Sequence, residues 1–244
     1  MPLPFSTTEF SNVLGYKVAK LTLEQATTWC LQAVQDPTPK LLVTTNPEII
    51  VQAETNPELK RALLSADLTV ADGVGVVWAS RQLGDAVPGR VPGVELAAGV
   101  LEQGGSSLRV FFLGSKPGVA QKAAEEANRK YGTIVAGVQH GYFKRPDDIP
   151  TICQTIKESK AHLLLAGLGE GQELFLHTNR TALNVPLMIG VGGTLDVMAG
   201  EVERTPLWTR KVGLEWAWRV GLDRKRWHRF PRLVKFVRLV LNSR

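Results

Sequence analysis

Short runs of apolar residues recur along most of the chain. Each is bounded by polar or glycine-rich sequence and followed by a stretch in which apolar residues return every three or four positions. The first pattern predicts buried strands and the second predicts amphipathic helices. Leu41-Leu42-Val43 reads as a strand, followed by helices over about 47–54 and 57–65. Leu68-Thr69-Val70 is a second strand, with a helix starting after Asp72. Arg109-Val110-Phe111-Phe112-Leu113 is the clearest strand, and Lys116-Pro117-Gly118 opens a helix running to about Lys130, with Pro where a first turn tolerates it. Strands over Thr133–Val138, His162–Ala166 and Pro186–Gly190 alternate with helices over 147–159 and 171–181, and a short helix begins near Thr194. Strands separated by helices imply an α/β fold, a mostly parallel, Rossmann-like sheet covered by helices on both faces.

The pattern changes near Arg204-Thr205-Pro206, which divides the chain into an α/β core over 1–203 and a C-terminal appendage over 204–244. From Arg224 onward, Trp227, Phe230, Leu233, Val234, Val237 and Leu241 keep helical spacing, while Lys225, Arg229, Arg232 and Lys235 project on another side. This predicts a basic amphipathic helix. Phe236 and Leu239 interrupt its polar face, and Pro231 would kink or restart it.

Charge sharpens this division. The appendage holds 12 of the 29 Lys and Arg residues and two of the 23 acids, so it carries +10 while the remainder carries −4. Four of the six tryptophans, Trp208, Trp216, Trp218 and Trp227, lie there too. Cations interleaved with aromatic and aliphatic residues suit a polyanionic, partly apolar partner: an anionic membrane, a diphosphate or a nucleic acid. No stretch of 18 uninterrupted apolar residues exists to span a bilayer. The segment Met1-Pro2-Leu3-Pro4-Phe5-Ser6-Thr7-Thr8 lacks the charged and apolar regions of a secretory signal. Cys30 and Cys153, far apart in helical patterns, read as buried, reduced thiols. The expectation is a cytoplasmic protein that meets the inner face of the membrane from the side.

In a parallel sheet, ligands gather at the carboxyl ends of the strands. Polar or glycine-rich sequence falls there repeatedly: Thr44-Thr45-Asn46-Pro47-Glu48, Ala71-Asp72-Gly73-Val74-Gly75, Gly114-Ser115-Lys116-Pro117-Gly118, Gly167-Leu168-Gly169-Glu170-Gly171-Gln172-Glu173 and Gly190-Val191-Gly192-Gly193-Thr194. Glycine turns that open helices let backbone N–H groups approach phosphate, although each alone is also an ordinary strand-to-helix turn. Asp72 is either an Asp-Gly turn or helix cap, or a carboxylate that takes a proton from an attacking hydroxyl. Arg90, in Pro88-Gly89-Arg90-Val91-Pro92-Gly93, is either a surface arginine or an aimed guanidinium. Asp196 suits the first turn of a helix on dipole grounds. No Asp-x-Asp pair, histidine metal spacing, Walker loop or Gly-x-Ser-x-Gly elbow is present, which leaves no metal or cofactor to assign.

In their order and spacing these stretches resemble the WecG/TagA/CpsF glycosyltransferases, glycosyltransferase family 26, from about Leu14 to Phe236. Beside the loops already quoted, Val76-Val77-Trp78, Arg90-Val91-Pro92-Gly93, Phe111-Phe112-Leu113-Gly114, Gly141-Tyr142-Phe143, Leu195-Asp196-Val197-Met198-Ala199-Gly200 and Gly213-Leu214-Glu215-Trp216-Ala217-Trp218-Arg219 carry the resemblance. It implies an inverting, metal-independent hexosyltransferase. Such an enzyme moves an N-acetylmannosamine-type sugar from a UDP donor to a polyprenyl-diphosphate-linked sugar, in teichoic acid or other cell-surface polysaccharide synthesis. The resemblance places the general base on Asp72 and further active-site residues on Thr44, Asn46 and Arg90. It gives the basic appendage a role in covering the site and contacting membrane. Candidate substrate-binding positions are Gly114, Gly169, Gln172, Gly192 and Gly193 on the loops, and Arg204, Arg219 and Arg224 in the appendage.

Two departures from the family pattern stand out. The family's Gly-x-Pro-Lys-Gln-Glu is shortened here to Gly169-Glu170-Gly171-Gln172-Glu173, without Pro and Lys, and Gly89 and Glu95 stand where Glu and Asp are usual. The first bears on donor contacts. The alternatives are a catalytically silent sugar-nucleotide binder or membrane scaffold, and a nucleic-acid binder acting through the appendage. The preferred reading has no nucleic-acid partner. Donor sugar, acceptor, linkage and any homo-oligomer are not fixed at this level.

Overall fold

The computed structural model describes residues 8–144, 146–202 and 230–243. An antiparallel hairpin, β1 (Phe10–Val13) and β2 (Tyr16–Ala19), leads the described chain. Its two-residue turn, Leu14-Gly15, has φ of 54° and 88°, the twist that a tight turn needs to match right-twisted strands. Helix α1 (Leu23–Ala33) starts with a reciprocal cap between Thr22 and Gln25. There follow β3 (Lys40–Thr45), α2 (Pro47–Ala53), α3 (Pro57–Leu64), β4 (Leu68–Ala71), α4 (Val74–Gln82) and α5 (Gly93–Gly104). Next come β5 (Arg109–Gly114), α6 (Val119–Tyr131), β6 (Ile134–Gln139), α7 (Ile149–Glu158) and β7 (Leu163–Gly167). The core closes with α8 (Gln172–Thr178), α9 (Arg180–Leu183), β8 (Leu187–Gly190) and α10 (Thr194–Met198), and α11 (Phe230–Asn242) lies near the C-terminus.

The main sheet has six strands in the order β4-β3-β8-β7-β5-β6, and every neighbouring pair is parallel. All six carboxyl ends therefore share one edge. The two-residue pleat sends alternate side chains to opposite faces. Leu41, Val43, Phe111, Leu113, Leu164 and Met188 join the core beneath α2, α3, α4, α7 and α8. Leu42, Val110, Phe112, Leu165 and Ile189 join the core beneath α1, α5 and α6. Both layers are built from buried apolar side chains, so the central strands are almost wholly apolar and are covered on both faces, while the edge strand β6 is partly exposed. Cys153 and Cys30 belong to these two separate cores, and both are free thiols.

The α/β reading holds, with local corrections. The hairpin and α5 had no clear signature in the apolar pattern. The helix expected over 171–181 is two helices that meet at Asn179. Helix α6 begins at Val119, after Gly118 in the left-handed region, so Pro117 sits in the preceding turn. His162 lies just before β7, although its backbone N–H still reaches the Arg109 carbonyl.

Helix α11 turns out differently from the face drawn for it. Phe236, expected to interrupt a polar face, is fully buried together with Val240. Both belong to the core that includes residues of α2 and α4, while Phe230, Val234 and Leu241 are exposed. Docking on the core, which the isolated pattern does not contain, decides which side of this helix turns inward. The boundary near Arg204 lies outside the described residues.

Candidate active site

At one end of the shared edge, β3 and β4 deliver Thr44, Asn46 and Asp72. The Asp72 N–H donates to the Thr45 carbonyl at 2.7 Å, which continues the β3–β4 ladder by one residue. The N-cap position of α4 is Gly73, at φ 98°, with no side-chain cap bond. Asp72 is therefore not the cap of that helix, and it is half-buried. Asn46 does cap its helix, because Oδ1 accepts from the N–H groups of Glu48 (3.0 Å) and Ile49 (3.1 Å). A Cβ on Gly75 would lie 2.4 Å from the Pro47 ring, so glycine permits the first turns of α2 and α4 to press together.

Thr44 is buried, and its hydroxyl donates to the Gly190 carbonyl at 3.0 Å. The Arg90 loop is secured at both ends. Val91 N–H donates to the Ala71 carbonyl at 2.7 Å. At the other end, Asp85 pairs with Lys20 of the loop after β2 at 2.5 Å, and Ser11 of β1 donates its hydroxyl to the Asp85 carbonyl. Arg90 and Asp72 each adjoin a partner of the Ala71–Val91 bond, so one backbone contact brings their chain segments together.

The other part of the edge forms a cleft of about 390 Å³ lined by Ser115, Lys116, Gly141, Tyr142, Gly167–Gly169, Gly192, Gly193 and Asp196. Its floor is backbone packed on backbone. A Cβ on Gly114 would come within 2.3 Å of the Gly167 carbonyl oxygen, and one on Gly167 within 2.7 Å of the Gly192 carbonyl oxygen. Larger residues there would force β5, β7 and the turn after β8 apart. Ser115 adopts φ 54°, and its hydroxyl donates to Asp196 Oδ2 at 3.0 Å. Left-handed backbone at a residue with a Cβ costs about 1–2 kcal/mol and is retained where the surroundings impose it.

Behind the cleft, Gln172 and Glu173 are buried at the start of α8. The Gly192 N–H donates to Gln172 Oε1 at 3.1 Å, and Gln172 Nε2 donates to Glu173 Oε1 at 2.8 Å. Burial pushes the Glu173 carboxyl above the usual range, against the lowering effects of the Gln172 hydrogen bond and a backbone one.

Thr44, Asn46, Asp72 and Arg90 thus gather at the β3–β4 end. Gly169, Gly192 and Gly193 line the cleft, Gly114 is not among its lining residues but packs backbone to backbone on Gly167, which is, and Gln172 braces the cleft from behind. Arg204, Arg219 and Arg224 lie outside the described residues. Reading loop by loop gave no binding role to Ser115, Tyr142 or Asp196, whose shared cleft appears only on folding. The local signals were the stretches that hold them, Gly114-Ser115-Lys116, Gly141-Tyr142-Phe143 and Leu195-Asp196-Val197, and Tyr142 is two-thirds exposed.

Known proteins place this edge in context. The model of the Glycosyl transferase WecG/TagA/CpsF family matches residues 11–244. The chain is 34% identical over 203 residues to an N-acetylglucosaminyldiphosphoundecaprenol N-acetyl-beta-D-mannosaminyltransferase of Bacillus spizizenii, covering 82% of this chain and 78% of that one. It is likewise 34% identical over 194 residues to the protein of the same name from Staphylococcus aureus, covering 79% and 74%. The chain belongs to the WecG/TagA/CpsF family of glycosyltransferases.

Proposed function

We propose that this glycosyltransferase moves an N-acetylmannosamine-type hexose, with inversion, from a UDP donor onto a polyprenyl-diphosphate-linked sugar. The observation that carries the reading is the division of one sheet edge. A carboxylate, Asp72, stands at the β3–β4 end, and a glycine-floored cleft runs along the ends of β5, β7 and β8. Thr44, hydrogen-bonded to Gly190, joins the two parts. The relatives' name supplies the sugar and the acceptor class.

In this reading the cleft takes the donor nucleotide. The acceptor hydroxyl attacks the anomeric carbon, forming the new C–O bond while the bond to the UDP oxygen breaks. The electron pair leaves with UDP and the hydroxyl proton passes to Asp72. Asn46 commits Oδ1 to its helix, so its amide hydrogens are what it offers a ligand. Charge building on the diphosphate meets backbone N–H groups of the glycine turns, Lys116 at the cleft wall, and the appendage arginines Arg204, Arg219 and Arg224. Charge-assisted hydrogen bonds contribute about 1.5–3 kcal/mol each, which gives the site a means of stabilising the leaving group without a metal.

The acceptor's lipid requires work at a membrane surface, and we assign that contact to the cytoplasmic face. No described helix is long and apolar enough to cross a bilayer. Helix α11 exposes Phe230, Val234 and Leu241 next to Lys235 and Arg238, which suits lateral attachment of the appendage, residues 204–244.

The test is a panel of UDP-sugars with a short-chain lipid-diphosphate-N-acetylglucosamine acceptor, with and without EDTA, read by mass spectrometry. Glycosylated acceptor formed equally under both conditions is the expected result. Donor binding with no product from any sugar would replace this reading with that of a silent binder.

A further inference from the structure

We propose that Glu173 is a positioning residue that sets the wall of the donor cleft through the Gln172 amide. The inference rests on reading that cleft as the donor site. Three observations carry it. First, the Glu173 carboxyl lies inside the fold, 4% exposed, where an ionisable group is costly unless its contacts compensate. Second, it makes a directed contact: Oε1 accepts from Gln172 Nε2 at 2.8 Å. Third, the other end of the same amide accepts the Gly192 N–H at 3.1 Å.

An amide side chain has a donor end and an acceptor end, and the two can exchange places by rotation. Glu173 removes that choice. A carboxylate, or the carbonyl oxygen of a carboxylic acid, takes the NH2 end and leaves Oε1 facing Gly192. With the amide reversed, Gly192 N–H would meet a second donor and the turn would have to move. The fit is close, because a Cβ on Gly190 would lie 2.9 Å from Gln172 Nε2 and 3.1 Å from Glu173 Oε1. The Gly190–Gly193 turn is thus held from two sides, by the Thr44 hydroxyl at Gly190 and by the Gln172 amide at Gly192. Gly192 and Gly193 line the cleft, and with the Gly192 N–H spent on Gln172, their positions set the shape of the wall that the donor meets.

Glu173→Gln keeps an acceptor oxygen of the same reach, whereas Glu173→Leu keeps the bulk and removes it. The experiment compares both with the full-length parent by three readouts: donor and acceptor KM with kcat, hydrogen exchange of the peptide spanning 187–195, and Tm. Glu173→Leu is expected to raise the donor KM about tenfold, the equivalent of one hydrogen bond, leave the acceptor KM unchanged and speed exchange in the turn. Glu173→Gln is expected to stay within about threefold of the parent, as an oxygen acceptor is what the geometry requires. Parental exchange and donor KM in Glu173→Leu would overturn the proposal, as would equal losses in both variants. A Glu173→Leu chain that fails to fold passes the decision to Glu173→Gln, whose turn must then exchange like the parent's. Failure of the parent to use any UDP-sugar would sink the donor-site reading, while the exchange comparison would still judge whether Glu173 holds the turn.

Discussion

The hydroxyl of Thr44 donates to the carbonyl of Gly190 at 3.0 Å, tying the end of β3 to the turn that walls the cleft. Both groups are buried, so water does not readily replace the hydroxyl when it is removed. Thr44→Val, which keeps the shape, is expected to cost about 1–3 kcal/mol of stability. That corresponds to a fall in Tm of roughly 2–4 °C per kcal/mol for a chain of this size. Thr44→Ser retains the hydroxyl and should lose less. Calorimetry in which valine and serine variants melt alike would show that this bond contributes nothing.

Asp72 supplies no helix cap, so its carboxylate can be altered without dismantling α4. Asp72→Asn should lower turnover about 10²–10⁴-fold, the usual contribution of a general base, without unfolding the chain. An asparagine variant that turns over at the parental rate would remove Asp72 from the chemistry.

The packing of α11 dictates how its membrane role is examined. Truncation would strip Phe236 and Val240 from the core, confusing stability with attachment. Substitutions on the exposed side avoid this: Phe230→Ser with Leu241→Ser, and separately Lys235→Glu with Arg238→Glu. Each cation near an anionic leaflet contributes about 1 kcal/mol, so the charge-reversed pair should sediment with phosphatidylglycerol vesicles at least tenfold more weakly, by the usual conversion of that energy. The defect should shrink as salt rises. Equal sedimentation of parent and both variants would count against this helix as the contact.

Glu173 also predicts a pH signature in stability. Its folded carboxyl titrates above the ordinary value of 4.5 because burial disfavours the charge. Between that value and the folded one, the native state holds the proton more tightly than the unfolded state does, so this group makes stability fall as pH rises. Below the window the cost is absent, and above it the cost is complete. Glu173→Gln lacks the titration. Its Tm relative to the parent should therefore climb from about pH 4 to pH 8, since the window opens at the ordinary carboxylate value. Parallel Tm curves across that range would contradict a buried, proton-retaining carboxyl.

Much of the edge was legible because strand ends are marked locally. Leu41-Leu42-Val43 stops at Thr44-Thr45-Asn46-Pro47, and Leu68-Thr69-Val70 stops at Ala71-Asp72-Gly73. Asn46 carries its capping role in its own residue type, followed by Pro47 in the first turn. Apolar periodicity and turn chemistry act over a few residues, and that information survives in a linear reading. The sequence by itself therefore determined the alternation of strand and helix, the glycine turns and the concentration of charge near the C-terminus. The tertiary structure alone decided that β8 inserts between β3 and β7, setting Gly190 against Thr44, and that Phe236 turns inward. It likewise decided that Glu173, which reads as an ordinary acid in the first turn of a helix, is closed off from water. Each of these depends on a partner far along the chain, and the free energy of burial is set by that partner rather than by the residue's neighbours in sequence.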